Sequence, residues 1–176
     1  MIRPLSFKPF LQIGRYQVSQ YDESWLRDAI VSAGQAANHD MDVLVDDLVS
    51  GVNHYLEHRC PKRVLKVESL IDRISLMLDQ VGLSAVAQEL PAAAPPVTIA
   101  LDELAKEGRY ELAFFGTLRN DIEDLREHGV SELRFTGMRE AIFALTGAAR
   151  WSPRCRGMQD ELEAFLVAIP NCLANA

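Results

Sequence analysis

The segment HYLEH, residues 54–58, is the pattern in this chain that comes closest to a metal site. His54 and His58 are one helical turn apart, so both imidazoles could bind Zn²⁺ while Glu57 acts as a general base. Glu123 and Glu127 could supply the missing third ligand, but no spacing singles them out. Two surface histidines at the end of an amphipathic helix explain the segment more simply, because protonated imidazole suits the negative helix end. We therefore expect no metal cofactor.

Two segments, LAFFGTLRNDI and LRFTGMREAI, share the pattern of a strand, a glycine and a helix start that carries an arginine. Helix N-termini at the ends of parallel strands attract anions, and an arginine in the first turn could clamp a phosphate or carboxylate. The candidate anion-binding residues are Gly116, Thr117, Arg119, Thr136, Gly137 and Arg139. Neither segment is a P-loop or a G-x-G-x-x-G motif, and ordinary strand–helix turns with surface arginines are the simpler interpretation.

Two clusters of basic residues interrupt an otherwise acidic sequence. The first comprises Arg59, Lys62, Arg63 and Lys66, and the second comprises Arg150, Arg154 and Arg156 beside Trp151. An arginine next to an aromatic ring could stack on a base or meet an acidic partner, although solvated loops usually account for such runs. If exposed between these arginines, Cys155 would have a lowered pKa, but no histidine partner marks it as a catalytic thiol.

The composition is that of an ordinary soluble globular protein. The chain has 176 residues, of which 48% are hydrophobic and 24% charged, and a net charge of −7. An acidic chain argues against sequence-independent binding of nucleic acid, which needs a basic surface. No apolar run approaches the length of a membrane helix, and no signal peptide is expected. Three scattered cysteines without C-x-x-C spacing favour the cytoplasm.

The clearest boundary is the segment LPAAAPPV, whose prolines cannot continue a helix. We predict a helical domain over residues 1–90, a Pro/Ala linker over 91–96 and a small α/β domain over 97–176. The fold class is α/β, of the α+β type.

The first half is predicted to be mostly helical after a hairpin, FLQIGRYQVSQY, that turns at Gly14. Asp22 is expected to cap a first helix that Gly34 ends or frays. Asp40 is expected to cap a second helix with an apolar stripe every three or four residues, which Pro61 stops. RVLKV then suggests a short strand, followed by a helix over Leu70 to Val81 and a short helix from Ser84.

The second half is predicted to alternate between strands and helices. The strands are VTIAL, RYELAFF and SELRFT, which are rich in β-branched and aromatic residues. The helices are DELAKEG, RNDIEDLREHG and MREAIFALTG, followed by a final helix from Met158 to Ile169 that Pro170 closes. This alternation favours a small parallel or mixed sheet of the βαβ type.

Residues 8–90 resemble the ATP-cone domain, the regulatory module of many ribonucleotide reductases and of a related transcriptional repressor. The resemblance rests on Tyr21-Asp22, Leu26 and Ala29-Ile30, on LKVESLIDRISLML, and on Val86-Ala87 in VGLSAVAQEL. That family has a hairpin, two helices, a segment leading into a third helix, and a closing small-residue helix. The resemblance therefore implies this fold for the first half, and ATP or dATP as the ligand.

The family's phosphate grip is a K-R-[DN]-G motif at the hairpin turn. Here Ile13 precedes Gly14, the Lys-Arg pair is absent, and Trp25 stands where the family commonly has a lysine. The cations that remain near this region are Lys8, Arg15 and Arg27. With Gly14, they are the residues that a rebuilt nucleotide site would use.

Three functional hypotheses follow. The leading one is a non-enzymatic regulatory or protein-interaction module, without a retained nucleotide site, that binds a protein partner or self-associates. The second is a nucleotide-binding allosteric sensor with a rebuilt phosphate site. The third is a small anion- or phosphate-handling enzyme that uses the strand–helix turns of the second half.

Overall fold

The computed structural model describes residues 8–108 and 110–169. These residues form eight helices and two small sheets, which confirms the mixed α/β class. They divide into two compact units: the residues up to Pro95 together with Glu127–Val130, and Pro96–Arg126 together with those from Ser131 onward. No helix among them is long and apolar enough to cross a membrane.

The first unit combines a three-stranded sheet with four helices. Its elements are β1 (Phe10–Ile13), β2 (Tyr16–Val18), α1 (Ser24–Ala36), α2 (Val45–His58), β3 (Val64–Lys66), α3 (Val67–Gln80) and α4 (Ser84–Gln88). The predicted hairpin is confirmed, with β1 and β2 antiparallel on either side of Gly14. The predicted strand in RVLKV is also confirmed, and it pairs with β1 in parallel to give the order β2-β1-β3.

The core of this unit is formed by one face of the sheet and one side of each helix. Leu11, Ile13 and Leu65 are buried on the sheet. The helices contribute buried apolar residues at helical spacing, such as Val45, Val49, Val52 and Leu56 on α2.

Two helix boundaries in the first unit differ from their predicted positions. Gly34 does not end α1 but is buried inside it, packed closely against Met41. Asp40 does not cap α2 directly, since the helix begins only at Val45; its carboxylate accepts a hydrogen bond from the backbone N–H of Asp42 (3.0 Å) in the preceding turn.

The second unit holds a two-stranded parallel sheet and four helices. Its elements are β4 (Val97–Ala100), α5 (Leu101–Glu107), α6 (Glu111–Glu127), β5 (Leu133–Thr136), α7 (Met138–Thr146) and α8 (Pro153–Ala168). The predicted strands VTIAL and SELRFT are confirmed as β4 and β5, which pair in parallel from Val97–Leu133 to Ala100–Thr136.

The prediction of a strand in RYELAFF is wrong. From Glu111 onward this segment is the start of α6, a single helix of 17 residues. Its buried residues Phe114, Leu118, Ile122 and Leu125 are four, four and three positions apart, which is the spacing of one helix face. This face continues across Gly116 without a break, so the aromatic content that suggested a strand is overridden by packing.

The final helix also begins earlier than predicted. α8 starts at Pro153, because the Ser152 hydroxyl accepts a hydrogen bond from the backbone N–H of Cys155 (3.4 Å) and caps the first turn. Pro170, predicted to close it, lies outside the described residues.

Candidate functional site

The first unit has a groove of about 1110 Å³, which we call the Lys8 groove. It lies where the residues leading into β1, the segment before α1, and the loop from α2 to β3 come together. Its charged and aromatic lining residues are Lys8, Phe10, Tyr21, Asp22, Glu57, Lys62 and Arg63. Three of these side chains are cationic in a chain whose net charge is −7.

Strand pairing positions these residues. The backbone N–H of Phe10 donates to the carbonyl of Arg63 (2.8 Å), and Phe10 then pairs with Val64 at the start of the β1–β3 ladder. Because the two strands are parallel, the loop that enters β3 and the residues that enter β1 meet at the same end of the sheet. The Phe10 side chain is 44% exposed there and forms part of the groove wall.

Lys8 is held by two carboxylates. Its Nζ lies 3.3 Å from Glu23 Oε1 and 3.7 Å from Glu57 Oε1, and 5.6 Å from the centre of the Tyr21 ring. An anionic ligand in the groove would compete with these carboxylates for Lys8. Lys62 and Arg63 are therefore the cations on which anion binding in this groove would depend most.

Tyr21 forms a neutral wall of the Lys8 groove. Its hydroxyl donates to the carbonyl of Pro9 (2.9 Å). Burial raises the pKa of Tyr21 to about 12, and the neighbouring Cys60 and Glu57 add to the shift because their negative charges disfavour the phenolate. The phenol therefore keeps its proton near neutral pH.

The predicted nucleotide-binding residues are in different surroundings. Lys8 lines the groove, whereas Gly14 lies at the hairpin turn and lines a separate depression with Lys66 and His128. Arg15 is packed against the Tyr16 ring, 5.4 Å from its centre.

Arg27, the fourth predicted nucleotide-binding residue, points towards α2. It forms an ion pair with Asp46. Two residues earlier on α1, Trp25 is only 8% exposed and belongs to the core of the unit.

The first predicted anion-binding turn does not exist. Gly116 and Thr117 lie inside α6, so no helix N-terminus is present there, and Arg119 lies over the Phe165 ring at 5.7 Å. The prediction that Gly116, Thr117 and Arg119 form a strand–helix anion site is therefore wrong. The enzyme hypothesis loses one of the two turns on which it depended.

The second predicted turn exists, but it already holds a carboxylate. Thr136 ends β5 and Gly137 precedes α7 with a φ of 70°. The Asp102 side chain lies so close that a Cβ on Gly137 would overlap it. Arg139 lies over the Phe143 and Trp151 rings at 5.7 and 6.0 Å. An anion at this helix start would be repelled by Asp102, which makes the turn a poor phosphate site.

His54 and His58 stack on each other at the end of α2. Their ring centres are 4.5 Å apart with an interplanar angle of 21°, and the Nδ1–H of His58 donates to the carbonyl of His54 (3.2 Å). Glu57, the predicted general base, lies 3.7 Å from Lys8. Within residues 8–108 and 110–169 no group of three or more His, Cys, Asp or Glu side chains is arranged to hold a metal ion.

Cys155 is a core residue and not an exposed thiol between arginines. It is fully buried in a cluster with Ile142 and Met158. Hydrogen bonds with the hydroxyls of Ser152 and then Thr146 lower its pKa, against the opposing effect of burial. Because no substrate can reach a fully buried sulfur, the thiol has a packing role.

Sequence patterns alone missed how the Lys8 groove is assembled. Lys62 and Arg63 were recognised as part of a basic cluster, but Phe10 and Tyr21 were not connected with it. The connection comes from the parallel pairing of β1 with β3, which are separated by two helices in the sequence. The one available signal was a short apolar strand followed directly by a helix in RVLKVESL.

Comparisons of the chain with protein-family models, with curated proteins and with solved structures gave no match.

Proposed function

We propose that the protein is a non-enzymatic regulatory or protein-interaction module of the cytoplasm. Its first unit would be an ATP-cone-like domain without the family's phosphate grip, acting through a protein partner or through self-association. The order of elements supports this proposal, because a hairpin, two helices, a strand leading into a third helix, and a short closing helix is the layout of that family.

The observation that carries the proposal is the placement of Trp25. Where the family commonly has a cationic side chain, this chain has a buried indole that contributes packing and no charge. Arg27, two residues further along α1, forms an ion pair with Asp46. Phosphate recognition needs cations and free N–H donors directed at the ligand. This arrangement therefore supports an ATP-cone-like fold that has a role other than nucleotide binding.

A thermal-shift titration tests this proposal. The full chain is heated with increasing ATP, dATP or AMP, with and without Mg²⁺, and with sodium sulfate at matched ionic strength as the control. A ligand at 100 times its Kd would stabilise the fold by about 2.7 kcal/mol, which is a readily measured shift in Tm. We expect no saturable shift up to millimolar nucleotide. A saturable shift specific to one nucleotide would refute the absence of a nucleotide site.

The second candidate function is a nucleotide sensor whose phosphate site has moved to the Lys8 groove. The observation that favours it is the convergence of Lys8, Lys62 and Arg63 with the rings of Phe10 and Tyr21. Cations suit a phosphate chain and aromatic rings suit a base.

Charge reversal distinguishes this second candidate from the first. In a sensor, the double variant Lys62→Glu/Arg63→Glu would lose the nucleotide-dependent shift in Tm. The matched control is Arg154→Glu/Arg156→Glu, which makes the same charge change at exposed positions of the second unit. Loss in both double variants would indicate a nonspecific effect of net charge and would remove the support for a site in this groove.

A further inference from the structure

A line of residues on α2 and at its N-cap is left outside the core, and we call it the α2 stripe. It consists of Leu44, Leu48, Gly51 and Tyr55, which are four, three and four residues apart and so lie along one side of the helix. Leu44 is 40% exposed, Gly51 is exposed, and the other two are half-buried. The stripe runs beside the buried face of α2 and offers apolar surface to solvent.

An apolar cleft of about 220 Å³ adjoins the α2 stripe between α2 and α3. Val52 and Tyr55 form one wall, and Ile74 and Met77 form the other. Gly51 lies at its edge, and no atom is found within 4 Å of the position where a Cβ would be. The backbone of α2 is therefore open to close approach by another helix, and the cleft can receive a leucine-sized side chain.

The charges along this surface are arranged to match a second copy of the same surface. Asp47 is exposed four residues before Gly51. Four residues after Gly51, the hydroxyl of Tyr55 accepts a hydrogen bond from Arg73 Nη1 (2.9 Å), which fixes an exposed guanidinium beside that end of the stripe. An acidic group, Asp47, thus lies about one helical turn before Gly51, and a basic group, Arg73 of α3, lies beside Tyr55 about one turn after it.

A two-fold axis at Gly51 would bring the charged groups of one copy to those of the other at two symmetry-related places. If two α2 helices cross antiparallel with Gly51 opposite Gly51, each Asp47 faces the Tyr55–Arg73 pair of the other copy. Leu48 of each copy then lies over the cleft of the other. Self-complementarity of one surface patch is the requirement for a closed two-fold dimer, and opposite charges across it fix the register.

We propose that the protein forms a two-fold dimer through the α2 stripe and its cleft, with Asp47 of each copy paired to Arg73 of the other. This inference rests on the self-association part of the proposed function and assigns a surface to it. It does not depend on whether the chain binds a nucleotide.

Sedimentation equilibrium of the full chain, from micromolar to near-millimolar protein, tests the helix contact at Gly51. Gly51→Arg places a long cation at the contact point and should abolish the dimer. The matched control is Gly157→Arg on α8, another exposed helical glycine with no atom within 4 Å of its Cβ position. The control should dimerise like the wild type, and circular dichroism verifies that both variants fold.

A charge-swap cycle tests the register. Asp47→Arg and Arg73→Asp should each raise the dimer Kd by about tenfold or more, and the double variant should recover at least part of that loss, because the opposite charges then face each other again. A dimer that persists in Gly51→Arg and shows no recovery in the double variant would overturn this interface while leaving self-association standing. A wild-type chain that stays monomeric throughout would overturn both.

Discussion

The segments LAFFGTLRNDI and LRFTGMREAI are close parallels in sequence and adopt different structures. In the first, Gly116 lies inside α6 with no atom within 4 Å of its Cβ position. In the second, Gly137 separates β5 from α7 in a left-handed backbone conformation, with Asp102 against it. The pattern of apolar residues, glycine and arginine therefore does not determine whether a turn forms.

The difference arises from the periodicity of burial on either side of the glycine. Before Gly137, Leu133 and Phe135 are buried at a spacing of two, as on a strand. Around Gly116, Phe114 and Leu118 are buried at a spacing of four, as on a helix. A glycine inside a helix is only mildly unfavourable, so the helix continues through it where its buried face is uninterrupted.

The substitution with the largest expected effect on stability tests whether the first segment, LAFFGTLRNDI, is a helix or a strand. In a strand, Leu112 and Phe114 would share a face, whereas in α6 Phe114 is fully buried and Leu112 is 87% exposed. Phe114→Ala should therefore lower the free energy of unfolding by about 3–5 kcal/mol. Leu112→Ala should change it by no more than about 0.5 kcal/mol. Urea denaturation measures both, and equal losses would favour the strand.

The substitution with the next largest expected effect on stability lies in the second segment, LRFTGMREAI. Gly137→Ala places a Cβ in a left-handed conformation and against the Asp102 side chain. We expect a loss of about 2 kcal/mol in the free energy of unfolding. Gly147→Ala, at another left-handed glycine but with no atom near its Cβ position, controls for the backbone cost alone. If both substitutions cost the same, Asp102 does not crowd this turn.

The corresponding glycine-to-alanine substitution in the first segment should change the free energy of unfolding in the opposite direction. Gly116→Ala should stabilise the protein by about 0.5–1 kcal/mol, because alanine loses less backbone entropy in a helix and meets no neighbouring atom. A shift of the urea midpoint to higher concentration with an unchanged m-value would show this. Destabilisation would instead indicate a turn at Gly116.

The smallest expected effect is on how the stability of the protein depends on pH. A hydrogen bond from Lys106 (2.9 Å) lowers the pKa of Asp102 from its ordinary value of 3.8. A carboxyl whose pKa is lower in the folded state contributes stability above its unfolded pKa and loses it as the pH falls through the folded pKa. The difference in stability between wild type and Asp102→Asn should therefore shrink below pH 3.8.

A matched carboxylate on the same helix controls for this acid effect. Glu103→Gln, one position further along α5, removes a charge without removing the contact with Lys106. Acid titrations of the two variants, followed by circular dichroism, should differ. Identical profiles would mean that the Asp102–Lys106 pair contributes nothing to folding.

Local patterns predicted most elements because their signals lie within a few residues. The hairpin at Gly14, the strands β4 and β5, and the helix α7 were all recognisable from alternation, helical spacing and terminal glycines. The ends of helices were predicted less accurately. Gly34 and Asp40 are typical of helix ends, but Gly34 packs against Met41 inside α1, and α2 begins only at Val45.

The candidate sites were less predictable than the elements. His54 and His58 are adjacent as their spacing requires, and Gly137 is at the expected junction. The four predicted nucleotide-binding residues, by contrast, are distributed among different surroundings, because their proximity depends on strand pairing and ion pairs that no local pattern specifies.

By itself the sequence determined the mixed α/β class and the apolar faces of the main helices, because hydrophobic periodicity acts over one or two turns. It also determined that no Lys-Arg pair precedes Gly14. Tertiary structure alone decided that Gly116 continues a helix while Gly137 makes a turn. It alone also decided that Lys8 meets Lys62 and Arg63, and that Gly51 opens onto a cleft. These outcomes depend on contacts between segments far apart in the chain, whose free energy is set by packing and not by local residue preference.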